Sequence, residues 1–173
     1  MNLHEYTVQA EATAQPAAHD RAYLIPMIVG EVGELFGQRA KAVWHGWAPE
    51  RLQAELVSEY GDIAWGTAIL MKLEGTNPEQ VKFPILRQTP YVKPGQVDPW
   101  QQVLSKAHDV YLFSLEDATS AFVRGAAQQL WLALGTYCQD ITGKSFDDVL
   151  FNNLTKLAGR VQRGTLVGSG DHR

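Results

Sequence analysis

Apolar residues recur at intervals of three and four along most of the chain, and almost nowhere do they alternate with polar ones as a half-buried strand requires. The pattern predicts an all-α fold. A short helix is expected over about residues 3–14, with a break near Pro16. A long helix follows from about Asp20 to Val43, in which Pro26 either kinks the axis or marks the true start. The run Trp44-His45-Gly46-Trp47-Ala48-Pro49 ends it, and Pro49 suits the first turn of a second long helix reaching about Leu73. Residues 75–99 carry Pro78, Pro84, Pro90, Pro94 and Pro99 and predict a long irregular segment. Helical spacing resumes over about Trp100–Leu112, Leu115–Ile141 and Ser145–Arg163. Ser145 ahead of Asp147 and Asp148 reads as a helix start, its acids at the positive end of the dipole. Gly164 to Arg173, with three glycines, reads as loop.

Two of these helices break their own pattern in the same way. In the first long helix Leu24, Ile28, Glu31, Leu35 and Ala42 fall on one seam, so Glu31 stands where an apolar residue belongs. In the second, Leu52, Leu56, Glu59, Ile63, Gly66 and Leu70 form the seam, and Glu59 is its charged member. Each acid has a companion three residues on, Glu34 and Asp62, which a helix places on the same side. Alone, such an i,i+3 pair is a solvated face. Two pairs whose leading acids sit in apolar seams point instead to a shared interior, where gathered carboxylates repel or protonate unless cations lie among them.

The donor types narrow the cation. No histidine stands at the Glu-x-x-His spacing that di-iron bundles use, and all-oxygen ligands suit Mg²⁺ or Mn²⁺. Glu55, one turn before Glu59, reads as a surface acid or an outer ligand. A basic counterpart lies in the last helix, where Asn153, Lys156 and Arg160 share a face and are followed by Arg163 and by a tail holding Asp171 and Arg173. Taken alone, those cations complement a helix dipole.

Composition removes several function classes. The chain has 173 residues, 45% of them apolar and 20% charged, enough for one globular domain with a sizeable core. Its net charge of −4 is the wrong sign for binding a nucleic-acid backbone. Cys138, the single cysteine, excludes an intrachain disulfide and a zinc-thiolate cage, and its apolar helical setting reads as a core position. No run approaches a membrane span, and Met1 to Tyr6 lack the basic and apolar stretches of a signal peptide, so the expected location is the cytoplasm.

Taken together, Glu31-x-x-Glu34, a 24-residue spacer, Glu59-x-x-Asp62, the terminal stretch from Asn153 through Lys156, Arg160 and Arg163 to Asp171 and Arg173, and the opening Leu3-His4-Glu5-Tyr6 resemble the MazG-like all-α NTP pyrophosphohydrolases. The resemblance spans nearly the whole chain except about residues 75–120, which look like an insertion in a single domain covering 1–173. It implies that Glu31, Glu34, Glu59 and Asp62 bind two or three Mg²⁺ or Mn²⁺ ions. Asn153, Lys156, Arg160, Arg163, Asp171 and Arg173 would contact the substrate, and Lys41 would be a further cation near the phosphates. The implied reaction cuts a (d)NTP to (d)NMP and pyrophosphate, with Glu31 accepting the water's proton and Lys156, Arg160 and Arg163 steadying the leaving group. A phage branch, called MazZ, acts on (d)GTP. The resemblance also implies a homodimer or homotetramer, while the net charge and the lack of a long apolar run predict no nucleic-acid polymer or membrane as partner.

The base pocket is open at this level: Phe36, Trp44, Trp47 and Trp65 are stacking candidates, though tryptophans in a helical protein commonly belong to the core. Two other functional classes remain as alternatives. His19-Asp20, with His4 upstream, supplies the dipeptide of a histidine-aspartate triphosphohydrolase, although a dipeptide at a helix start also reads as capping. A non-catalytic helical interaction module would leave both acid pairs on the surface.

Overall fold

The computed structural model of the chain describes residues 1–81, 97–115 and 119–165. These residues form six α-helices: α1 (Leu3–Glu11), α2 (Arg21–His45), α3 (Pro49–Leu73), α4 (Pro99–Leu115), α5 (Ser120–Thr142) and α6 (Phe146–Gln162). Short 3-10 turns at Pro16–His19 and Pro78–Gln80 join them, and no strand occurs among the described residues. The all-α expectation is met, with shifted ends. The first helix stops at Glu11, α4 runs on to Leu115 and α5 begins at Ser120. Much of the predicted irregular segment, residues 82–96, lies outside the described residues, as does most of the C-terminal tail.

Local chemistry explains where the two long helices start and stop. Asp20 caps α2 by accepting from the Ala22 amide. His19 ends the preceding 3-10 turn in an exposed position, so His19-Asp20 serves as a helix entry. Pro26 lies within α2 rather than at its start, and the helix continues past it to His45. Gly46 terminates α2 at φ 61°, a left-handed conformation that costs glycine no Cβ clash, and the Trp47 amide returns to the Ala42 carbonyl. Pro49 then opens α3 at a first-turn position where its missing N–H is no loss. The three-residue turn folds α2 and α3 against each other as an antiparallel hairpin, the most extensive helix pairing among the described residues. At the C-terminal end, Ser145 caps α6 through the Asp148 amide, and Asp147 and Asp148 occupy its first turn.

α3 is the central element. α2, α5, α6 and α1 all pack on it, and α4 closes the far side by lying against α5 and α2. The α2 seam residues Leu24, Ile28 and Leu35 are wholly buried, as are Ile63 and Leu70 from α3. Each such side chain contributes about 1.5–3 kcal/mol relative to exposure. This apolar frame holds the α2/α3 hairpin rigid and fixes where its seam acids project. Cys138 is buried in α5, and burial pushes its thiol up to about 11, the behaviour of a core residue. No helix among the described residues is long and apolar enough to cross a membrane.

Candidate metal centre

Four residues of α2, Glu31, Glu34, Gln38 and Lys41, follow one another at intervals of three, four and three and so share a face. α3 runs alongside with Glu59 and Asp62. One carboxylate oxygen each from Glu31, Glu34 and Glu59 lie within 4.8 Å of one another. Glu59 is 7% exposed despite its charge, while Glu31 is half-buried and Glu34 lies at the open edge. Burial, then the nearby charges of Asp62, Glu59 and Glu34, push the Glu31 carboxyl up to about 8, against a smaller opposing pull from Lys156. Glu59 is raised by the same burial, partly offset by its hydrogen bond from Gln38. Crowded, half-desolvated carboxylates in an all-oxygen set fit a hard divalent cation.

Asp62 is held differently. Its Oδ2 accepts from Lys156 Nζ at 2.5 Å and its Oδ1 accepts from Asn153 Nδ2 at 2.8 Å. The expected four-acid set therefore resolves into three converging glutamates and an aspartate paired to a lysine beside them. Lys156 Nζ also donates to Ser58 Oγ at 3.1 Å, which ties α6 to α3 one turn before Asp62.

Asn153 departs from its expected substrate contact. It is 3% exposed, and both ends of its amide are engaged: Nδ2 with Asp62, and Oδ1 with the hydroxyl of Tyr6 at 2.9 Å. It holds Asp62 from within the α3–α6 contact rather than from an exposed position. Tyr6 is itself wholly buried, so the opening motif reaches the site through Asn153. Gly61 makes that approach possible, because a Cβ there would lie 2.8 Å from Asn153 Cβ.

The remaining expected contacts are distributed unevenly. Arg160 lies partly buried on the α6 face that carries Asn153 and Lys156. Arg163 caps the end of α6, exposed, its guanidinium folded toward Gly159. Lys41 is exposed and donates to Gln38 Oε1 at 3.2 Å. Asp171 and Arg173 lie outside the described residues. Among the stacking candidates, Trp65 is a core residue whose Nε1 bonds Ala10 O and Thr13 Oγ1, and Phe36 packs edge-on against Trp100. Trp47 stacks on His45 and under Arg51 at the α2–α3 turn, and Trp44 is 84% exposed.

Gln38 is the site residue that no motif singles out. Its amide Nε2 donates to Glu59 Oε1 at 2.6 Å, and at 6% exposure it is as buried as the acid it holds. A signal for it does exist. The α2 seam at spacings of four and three runs 24, 28, 31, 35, 38, 42, so Gln38 is a second polar residue at an apolar position. Compared with protein-family models, with curated proteins and with solved structures, the chain matches none.

Proposed function

We propose that the chain is a metal-dependent nucleoside triphosphate pyrophosphohydrolase, converting a (d)NTP to (d)NMP and pyrophosphate. The observation that carries the reading is the convergence of Glu31, Glu34 and Glu59 from the two paired helices, beside an Asp62–Lys156 pair. The spacing of those acids and of the α6 basic face, which resembles the MazG-like enzymes, supports the same substrate class. Mg²⁺ or Mn²⁺ held by the glutamates would supply Lewis acidity toward a phosphoryl oxygen and lower the pKa of a water.

The chain's own residues have definable tasks. The Glu31 carboxylate, which converges with Glu34 and Glu59, is suited to take the proton of the water that attacks the α-phosphorus. Lys156 presents an ammonium bonded to Asp62 beside the glutamates and would neutralise charge on the departing pyrophosphate. Asn153 and Gln38, each buried, keep Asp62 and Glu59 oriented. The (d)GTP preference of the MazZ branch is one substrate this reading includes, and a homo-oligomer is the assembly it expects.

Separation of products by anion exchange, after incubation of each NTP and dNTP with Mg²⁺ or Mn²⁺, tests the proposal. Monophosphate and pyrophosphate should appear in equal amounts and should vanish in Glu59→Gln. Release of inorganic phosphate, or of a nucleoside with intact triphosphate, would refute it.

A further inference from the structure

α2 carries two seams of the same spacing on opposite sides. The inner one, at positions 24, 28, 31, 35, 38 and 42, faces the rest of the chain. The outer one runs through positions 22, 26, 29, 33, 36, 40 and 43, again at intervals of four and three, and every residue on it is non-polar. Tyr23, Gly30, Gly37 and Trp44 border it, so about 33 Å of helix surface carries no charged side chain. Val43 is 83% exposed and Trp44 84%. A surface helix ordinarily turns polar residues to water, and one that is apolar all round is covered all round. A Cβ on Gly30, Gly33 or Gly37 would meet nothing within 4 Å. No packing inside the chain therefore calls for glycine at these interior helix positions, where only proline is a poorer former.

We propose that this outer face pairs with the same face of a second copy of the chain, the two α2 helices lying antiparallel about a two-fold axis at Gly33. Such pairing needs one patch that fits itself. Laid antiparallel on itself, the face sets large residues against small ones: Phe36 opposite Gly30, Val29 opposite Gly37, and Trp44 opposite Ala22. Tyr23 then falls opposite Val43, at the shallow groove bordered by Phe36, Arg39, Ala40, Val43 and Trp44. A parallel pair would instead set Phe36 on Phe36 and Trp44 on Trp44 and leave the glycines facing one another. Charge favours the same occupant. A net charge of −4 opposes self-association in general, and an uncharged face is where two copies meet without opposing like charges. The area is sufficient as well, since the eleven residues of the face and its border offer on the order of 700 Å², against roughly 800 Å² per partner in a stable complex. The inference gives a face to the homo-oligomer expected above and stands on α2 alone, independent of the metal centre.

Sedimentation velocity of the full chain in a chelator tests this, with thermal melts run on every variant. Wild type should sediment as twice the 19.2 kDa of one chain. Ala40→Arg puts a charge on the face at a position exposed within the chain, so it should melt like wild type and weaken self-association at least about tenfold. Gly33→Cys supplies a second readout. On the axis its thiol meets its own copy within disulfide reach, so mild oxidation should cross-link two chains, and Cys138 is buried and does not compete. A Cys in place of Glu50, exposed at the far end of the hairpin, should not cross-link. Wild type that stays monomeric at about 100 μM, as it would if another part of the same chain covered the face, overturns the inference. So does a dimer that survives Ala40→Arg undiminished and gives no cross-link through position 33. Neither readout depends on metal or turnover, so an inactive protein leaves the dimer standing and a monomer leaves the metal centre standing.

Discussion

Gly61 and Asn153 meet so closely that no side chain fits between them: a Cβ on the glycine would come within 2.8 Å of Asn153 Cβ and 3.1 Å of its Nδ2. The second of those atoms is the donor to Asp62, one residue after Gly61. Helix crossing and acid orientation are therefore one feature. α6 can approach α3 at this point only because position 61 is bare, and the approach delivers the amide to the aspartate.

We expect Gly61→Ala to cost about 1–3 kcal/mol, the usual penalty for forcing a methyl group into a packed contact. The gain in helix propensity of about 1 kcal/mol offsets part of that. Urea denaturation measures the net. A variant as stable as wild type, with undiminished turnover, would show that the close approach has no consequence.

Tyr6 and Asn153 should prove coupled. Tyr6→Phe leaves the Asn153 Oδ1 buried and unpaired, a loss of about 1–3 kcal/mol. Asn153→Leu removes the same hydrogen bond from the other side and additionally releases Asp62. A double-mutant cycle on unfolding free energy should therefore be clearly non-additive, whereas additive losses would mean the hydroxyl and amide act independently.

Carboxylate crowding has a pH signature. Glu31 has its folded-state pKa raised to about 8 from 4.5, so the fold favours its protonated form. The stability this confers is complete below about pH 4.5 and is lost as pH rises through 8. Glu59 shifts in the same direction. Scanning calorimetry in a chelator should thus show Tm falling between about pH 4.5 and 8, the window set by the Glu31 shift. Added Mg²⁺ should flatten the fall, because it binds the deprotonated form. A chelated Tm that rises across this window would contradict the crowding.

The same crowding predicts that Glu31→Gln trades stability against activity. The neutral amide spares the fold the cost of protonating Glu31 or of holding its charge against Asp62, Glu59 and Glu34, so chelated protein at pH 7–8 should gain about 2–4 °C in Tm, the effect of roughly 1 kcal/mol in a chain of this size. Pyrophosphate release should fall below detection, since the proton acceptor is gone. A loss of Tm in chelator would show that Glu31 is a structural acid.

Helix class and the placement of acids were legible in the sequence because both follow from one periodicity. Glu59, a charged residue in an apolar seam, is buried as that position demands. Helix ends were less legible: nothing in the pattern stops α1 at Glu11 rather than three residues later. Asn153 shows a different limit. Spacing put it on the face of Lys156 and Arg160, but whether an amide faces solvent or a neighbouring helix depends on tertiary approach, here set by Gly61. Gln38 could have been found by following the α2 seam through every position. A polar residue at a seam position is informative even when it is uncharged.

Arg21 and Glu74 offer a control that separates fold from site. Glu74, at the end of α3, has a side chain 1% exposed and pairs both its oxygens with the Arg21 guanidinium. Arg21, the first residue of α2, also donates to Ser120 Oγ at 2.6 Å, so one cation joins three helices. Arg21→Met strands a buried carboxylate and should cost about 3 kcal/mol, the lower end for a broken buried pair because Arg21 itself is partly exposed. Adding Glu74→Leu should restore much of the loss, since the unpaired charge and not the absent attraction is the larger penalty. Glu74 lies twelve residues beyond Asp62 on α3, about 18 Å along the helix axis, so neither variant should change Mn²⁺ affinity. Urea denaturation and Mn²⁺ calorimetry on the same samples check both halves. Weakened Mn²⁺ binding in the well-folded double variant would mean that this end of the hairpin helps to set the positions of the glutamates, and that the rigid-frame account of the centre is wrong.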